Sequence, residues 1–118
     1  MNLRIQVKRI YDGPADEDGF RVLIDRLWPR GFRKEAVRLD AWAKDLAPST
    51  ALRKWFAHDP AKFGEFTVRY RRELADRQGA IEELRAAVIG DTLTLVYAAA
   101  DPVHNHAVVL CEYLQVVA

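Results

Sequence analysis

The chain has 118 residues, of which 50% are hydrophobic and 30% are charged, so it is long enough for one domain with one core. Eighteen basic and seventeen acidic residues leave a net charge of +1, which gives no overall field for nucleic acid or an anionic membrane. The single cysteine, Cys111, excludes an intramolecular disulfide and a multi-cysteine zinc site. No apolar run approaches the roughly 20 residues of a membrane span, and no signal peptide is recognisable, so we expect a cytoplasmic protein.

Two strands are predicted in the first part of the chain. Apolar and polar residues alternate in LRIQVKRI, residues 3–10, which is typical of a strand with one solvated face. The following YDGPADEDG, residues 11–19, predicts a mobile turn region. RVLIDRLW, residues 21–28, then predicts a more buried strand that Pro29 and Gly31 bring to an end.

The next part of the chain predicts helices. A weak pattern indicates two short helices, near residues 34–37 and 41–46. Ser49 or Thr50 is expected to cap a third helix, because either hydroxyl can accept a hydrogen bond from the free backbone N–H groups of a first turn.

The clearest helix begins at Asp59, the expected N-cap, with Pro60 at its first position. Apolar residues three or four positions apart predict one buried face: Phe63, Phe66, Tyr70 and Leu74. Gly79 is expected to end this helix. Another apolar stripe then predicts a further helix: Ile81, Leu84 and Val88.

The last part of the chain predicts a central strand and a closing helix. TLTLVYAAA, residues 92–100, is an unbroken apolar run, which is typical of a strand covered on both faces. Asp101 is the expected N-cap of the last helix and Pro102 its first residue, and Cys111 on its apolar stripe is expected to be a shielded, structural thiol.

These elements predict a single α/β domain over residues 1–118. We expect a small three-layer α/β/α arrangement in which helices flank a short, mainly parallel sheet, although the strand order cannot be deduced. The residues expected in its core include the following: Ile24, Phe63, Phe66, Leu95, Val96 and Leu110.

Ligands of such sheets collect beyond the carboxyl ends of the strands, where loops lead into helices. We therefore predict a polar cleft between the turn after the second strand and the start of the last helix. The predicted ligand-binding residues are Asp25, Arg26, Trp28, Arg30, Asp101, His104, Asn105 and His106.

The turn after the second strand combines a carboxylate, guanidinium groups and an indole. If Asp25 points inward it needs a partner, and Arg30 or another nearby arginine is the obvious candidate. Four arginines could then present a fork of donors to a phosphate or carboxylate beside the flat wall of Trp28: Arg21, Arg26, Arg30 and Arg33. The structural alternative is an ion pair that only stabilises the turn.

The last helix offers a second group of polar side chains. His104, Asn105 and His106 would occupy its first turn, where free N–H groups favour an anion and two imidazoles could donate hydrogen bonds or act as acid and base. The alternative is that Asp101 caps the helix while the histidines only border the sheet. A zinc pair is disfavoured, because side chains two positions apart on a helix point in nearly opposite directions.

Other candidates carry weaker signals. His58 beside Asp59 resembles an acid/base pair, but a histidine next to an N-cap is more often solvent-facing or packed than catalytic. The glycine fingerprints of phosphate and dinucleotide loops are missing. No catalytic residue, metal site or cofactor is assigned.

Three classes of function are compatible with the sequence. The first is an enzyme or binding protein for a small, anionic molecule. The second is a nucleic-acid-binding or regulatory module, which the neutral charge disfavours and which would use basic helix residues: Arg53, Lys54, Arg69, Arg71, Arg72 and Arg77. The third is an interaction protein with exposed Trp42 and Trp55, although aromatic residues are more often in the core. The oligomeric state stays open.

Four motifs together resemble the DUF488 family of uncharacterised proteins, in its compact, YeaO-like form. They are DRLWPRG, APSTALRKWFAHDP, RYRREL and TLVYAAADPVHNHAVVL, and they span most of the chain in the family's order. The resemblance implies a three-layer α/β fold and no settled activity. Longer relatives have cysteines where this chain has YAAADPVHNHA, with Tyr97 and Asn105 near those positions, so the resemblance implies no cysteine-based function here.

Overall fold

Four short strands form one parallel sheet in the computed structural model, which describes residues 3–116. In chain order they are β1 (Arg4–Arg9), β2 (Phe20–Leu23), β3 (Ala41–Trp42) and β4 (Thr92–Tyr97). Their order across the sheet is β1-β4-β2-β3. The α-helices within the described residues are α1 (Thr50–Phe56), α2 (Phe63–Ala75), α3 (Gln78–Ala87) and α4 (His106–Val116). The predicted α/β class is confirmed.

The two central strands owe their positions to their apolar sequences. β4 pairs with both β1 and β2, and Leu95 lies opposite Val7 on one side and Val22 on the other. All residues of β4 after Thr92 are buried, which confirms the central strand expected from the apolar run. In β1, Arg4, Gln6 and Lys8 alternate with Ile5 and Val7, and Gln6 donates to the Thr94 hydroxyl over 2.8 Å.

All four α-helices contribute buried side chains to the core on one face of the sheet. Ser49 caps α1 by accepting a hydrogen bond from Leu52 N at 3.1 Å, as predicted. On α2 the buried residues are Phe66, Tyr70 and Leu74. Phe63, at the start of that stripe, packs against the core but is only partly buried, which is less than the predicted burial.

Two helix boundaries differ from those predicted. Asp59 caps a short 3-10 turn, Pro60–Lys62, and α2 begins at Phe63. Gly79 does not end α2 but lies inside α3, because α2 already ends at Ala75. The remaining core predictions are confirmed by buried side chains: Ile24, Phe66, Leu95, Val96 and Leu110.

Irregular chain covers the other face of the sheet. Buried side chains of Ile10, Leu23 and Val96 form a second cluster there, with partly buried residues packed against it: Trp28, Phe32, Val37, Leu39, Trp42 and Ala98. The short helices expected near 34–37 and 41–46 are instead a turn, strand β3 and a 3-10 turn, Lys44–Leu46.

The outer edge of β2 explains why this segment is not helical. Asp40 N donates to Arg21 O and Ala43 N donates to Leu23 O, both over 2.8 Å. These bonds satisfy carbonyl groups of β2 that a helix over residues 41–46 would leave without donors.

Cys111 on α4 is less shielded than expected. It is half-buried, with Sγ 3.7 Å from Ile5 O. Burial raises the pKa of its thiol, which disfavours the reactive thiolate.

Among the described helices, none combines the length and apolar character that crossing a membrane requires.

Candidate functional site

A cavity of about 600 Å³ opens where the chain leaves β2 and β4 at their carboxyl ends. Residues 25–27 and 98–101 form two of its sides, and α1 and the start of α4 border the others. Its polar lining residues are Asp25, Arg26, Arg53, His58, Asp101, Asn105 and His106. The cavity therefore lies at the carboxyl ends of the strands, where ligand sites of such sheets are expected.

Asp25 connects the ends of the two central strands. Its Oδ2 accepts a hydrogen bond from Ala98 N at 3.1 Å, and its Oδ1 lies 2.8 Å from His106 Nε2. Asp25 Oδ1 and His106 Nε2 are both shielded from solvent. Despite their short separation, neither atom makes a hydrogen bond of acceptable geometry within residues 3–116. The inward-pointing carboxylate thus faces His106, and the predicted pairing with Arg30 or another nearby arginine was wrong.

Arg26 extends from the same turn to the segment before α1. Its Nε donates to Pro48 O over 3.1 Å and its Nη2 donates to Ala47 O over 3.3 Å. Nη1 makes no hydrogen bond to any residue that the structure describes. Tyr70 holds the same segment by donating its hydroxyl to Leu46 O, which gives Arg26 a fixed support.

Asp101 belongs to the cavity wall, but its carboxylate is occupied by its own turn. Oδ1 accepts from Val103 N at 2.9 Å and from His104 N at 3.0 Å, and Oδ2 lies 2.8 Å from His104 Nδ1. Hydrogen bonds from Val103 N, His104 N and the His104 ring lower the pKa of Asp101 to about 2.

The last helix begins four residues later than predicted, at His106. Asp101 caps a turn, and Asn105 takes the capping role, because its Oδ1 accepts from Val108 N at 3.1 Å while its Nδ2 donates to Asp101 O over 2.9 Å. An Asp-Pro pair suits a tight turn as well as a helix start, which explains the error. His104 and Asn105 therefore precede the first turn in which they were predicted.

Three predicted site residues lie outside the cavity lining: Trp28, Arg30 and His104. Trp28 turns to the other face of the sheet, where its ring packs edge-on against Trp42 with centroids 5.3 Å apart. Arg30 follows it and is exposed to solvent. His104 is turned toward Asp101 and toward the ring of Phe63, 5.3 Å away.

The structure brings the remaining predicted residues together at the cavity: Asp25, Arg26, Asp101, Asn105 and His106. Whether these residues bind a ligand stays a prediction.

Near the positions where longer relatives carry cysteines, Asn105 caps α4 and Tyr97 is buried in the core. Burial raises the pKa of the Tyr97 phenol, which therefore stays protonated.

Sequence reasoning missed Arg53 and discounted His58, although both line the cavity. His58 follows Ala57, and both adopt left-handed backbone conformations, with φ of 58° and 48°. Such conformations are uncommon for residues other than glycine and occur frequently at functional sites. The sequence does not show that Arg53 and His58 line the cavity, since α1 reaches the cavity only through tertiary packing.

The basic helix surface gains no support as a nucleic-acid interface. Three of its six predicted residues face glutamates: Arg69 pairs with Glu65, Arg71 with Glu112, and Arg77 with Glu73. The exposed tryptophan surface proposed as an alternative is also reduced. Trp42 and Trp55 are both half-buried, and Lys62 and Arg69 lie against the Trp55 ring.

Comparison with known proteins shows similarity over almost the entire chain. A family model described as "Inactive DUF488-N3 subclade" matches residues 4–117. The protein named "Uncharacterized protein YeaO" from Escherichia coli is 41% identical over 113 residues, which cover 96% of this chain and 98% of that protein. "Uncharacterized protein Rv3073c" from Mycobacterium tuberculosis is 43% identical over 111 residues, 94% of this chain and 93% of its own.

No solved structure matches the chain. The family match extends over the described strands, the α-helices and every residue of the cavity lining. The chain therefore belongs to the DUF488 family, in the subclade that is described as the inactive DUF488-N3 subclade.

Proposed function

We propose that the cavity binds a small organic anion and that Arg26 is its main anion-binding group. The observation that carries the proposal is the state of the Arg26 side chain. Two carbonyl groups fix its guanidinium at the wall of a cavity of about 600 Å³, while Nη1 is left to donate. A donor that is already fixed loses little conformational entropy on binding.

Arg53 adds a second positive charge to the same cavity. It projects from α1 and is exposed, so it is less restrained than Arg26. Charge-assisted hydrogen bonds from guanidinium groups to carboxylates are about twice as strong as neutral ones. Arg53 therefore attracts the anion, whereas Arg26 determines where it binds.

Binding without turnover agrees best with the Asp25–His106 pair. The two atoms that would exchange a proton with a substrate, Asp25 Oδ1 and His106 Nε2, face each other and are shielded from solvent. A general acid or base must be within hydrogen-bond reach of the group it protonates or deprotonates. The family's description as inactive supports the same interpretation.

Arg26→Gln and Arg30→Gln form a matched pair for testing this function. Both replace an arginine of the same turn, but only Arg26 lines the cavity. Isothermal titration calorimetry with acetate, benzoate, inorganic phosphate and AMP would identify an anion that binds the parent protein. R26Q should weaken that binding by roughly 10- to 100-fold, the value of one charge-assisted hydrogen bond, and R30Q should leave it unchanged.

Circular dichroism of both variants would confirm that the fold is retained when Arg26 no longer reaches Ala47 and Pro48. Equal affinities in R26Q and R30Q would contradict the assignment of Arg26. Absence of binding by all four probes would contradict the proposed function itself.

A further inference from the structure

We infer that the ligand of this cavity is a monocarboxylate with a compact apolar or aromatic body, rather than a phosphate or a nucleotide. The inference rests on the proposed anion-binding function and specifies its ligand class. Three features of the cavity lead to it: its inner wall, its mouth and the balance of its charges.

The inner wall is apolar and rigid. Phe56 and Phe66 line it, and their rings stack with centroids 4.3 Å apart and an interplanar angle of 24°. Both side chains are buried in the core, so packing holds their rings in place at the cavity. The segment Ala98, Ala99 and Ala100 adds only small side chains on the side formed by the end of β4. A ligand that fills this space needs an apolar surface of its own.

The mouth of the cavity has an apolar side chain with no cover. Leu27 lines the cavity and is 60% exposed, directly after the anion-binding Arg26. Removing a large apolar side chain from water lowers the free energy of the complex. An acetate or inorganic phosphate bound to Arg26 would be too small to cover Leu27, whereas a ring or branched chain attached to the carboxylate would extend across it.

The charges at the cavity favour a single negative charge on the ligand. Arg26 and Arg53 contribute two positive charges, but Asp25 and Asp101 contribute two carboxylates to the same lining. These charges cancel, so the lining has no net positive charge to offset the larger desolvation cost of a dianion. A phosphate monoester carries between one and two negative charges near neutral pH, so its burial costs more than that of a carboxylate.

Ligands that differ in one part at a time separate these features. Acetate, cyclohexanecarboxylate, benzoate and 3-phenylpropanoate share the carboxylate and differ in the apolar body. Phenyl phosphate and phenylacetate share the ring and differ in the anionic group. By isothermal titration calorimetry, the best cyclic carboxylate should bind at least roughly tenfold tighter than acetate, because its ring is removed from water. Phenylacetate should also bind more tightly than phenyl phosphate.

Leu27→Ser and Ile89→Ser test the mouth of the cavity. Both side chains are exposed, at 60% and 83%, so neither substitution should affect folding, and Ile89 is outside the cavity lining. L27S should weaken binding of the best cyclic carboxylate about threefold to tenfold and leave acetate unchanged. I89S should change neither affinity.

The outcomes distinguish this inference from the function on which it rests. If acetate or inorganic phosphate binds through Arg26 as tightly as every cyclic carboxylate, the anion site stands and the inferred ligand class is wrong. Tighter binding of phenyl phosphate or AMP than of the carboxylates would also overturn it. If none of the probes binds, both the function and the inference fail.

Discussion

The two segments that enter the cavity from the sheet use their polar groups in opposite ways. In residues 101–105, Asp101 and Asn105 bond mainly within their own turn and the first turn of α4. In the turn after β2, Asp25 bonds to the end of β4 and Arg26 bonds to the segment before α1. A polar residue at a cavity can therefore be local structure, or it can connect separate elements and keep a group for a ligand.

The largest effect is expected where the connection is most buried. Asp25→Ala removes the acceptor of Ala98 N and leaves His106 without its carboxylate neighbour. It should lower the free energy of unfolding by about 2–3 kcal/mol, which urea denaturation would measure. Asp25→Asn retains an acceptor oxygen and should cost less. Asp12→Ala is the control, because Asp12 is exposed and outside the cavity; a similar small loss in D25A and D12A would show that Asp25 connects nothing.

Asn105→Ala tests the local segment. The substitution removes the cap of α4 and the bond to Asp101 O, so it should lower the free energy of unfolding by about 1–2 kcal/mol. Because both ends of the Asn105 amide are already engaged, the affinity for a bound carboxylate should stay within about twofold of the parent value. R26Q should show the reverse, with an effect on ligand affinity that is larger than its effect on the free energy of unfolding. Calorimetry showing equal affinity losses in N105A and R26Q would remove the distinction between the two segments.

This contrast also explains how far the sequence could lead. The apolar run of β4 and the turn residues after β2 are local signals, and together they predicted that Asp25, Arg26 and His106 would meet at the strand ends. Which of the residues face the cavity depends on how the chain continues. Trp28 crosses to the other face to pack against Trp42, and Arg30, which follows it, lies outside the cavity lining.

Two further residues show a limit of a different kind. Arg53 and His58 reach the cavity because α1 packs against α2, and no spacing in the sequence encodes that approach. The start of α4 was misplaced for a third reason, since Asp101 and Pro102 satisfy the sequence preferences of both a turn and a helix start. Local preferences could not decide between them, and the cap provided by Asn105 does.

The end of α1 allows a third wall of the cavity to be compared with the other two. Ala57 and His58 both have positive φ, but only His58 lines the cavity. Glycine adopts this conformation without strain, so Ala57→Gly and His58→Gly should each raise the free energy of unfolding by about 1 kcal/mol in urea denaturation. Only H58G should also weaken binding of the carboxylate. If A57G weakens binding equally, the backbone and not the imidazole is what the ligand requires.

The smallest effect concerns the protonation of Asp101, whose ordinary pKa of 3.8 is lowered to about 2 by hydrogen bonds from Val103 N, His104 N and the His104 ring. Folding favours the ionised carboxylate, so this stabilisation is complete above about pH 4 and is lost as the pH falls toward 2. The side chain is one-third exposed, and solvent reduces the effect.

Urea denaturation of the parent protein and Asp101→Asn from about pH 5 to about pH 2 would isolate this contribution. The buried carboxylate of Asp18 also has a lowered pKa, because hydrogen bonds from Ala15 N, Lys8 and Arg21 outweigh the opposing effect of burial. It titrates in both proteins, so it cancels when their stabilities are compared. The parent should therefore lose more stability on acidification than D101N. Parallel losses would mean that the hydrogen bonds around Asp101 are equally strong to its protonated form, and residues 101–105 would then not depend on the charge of Asp101.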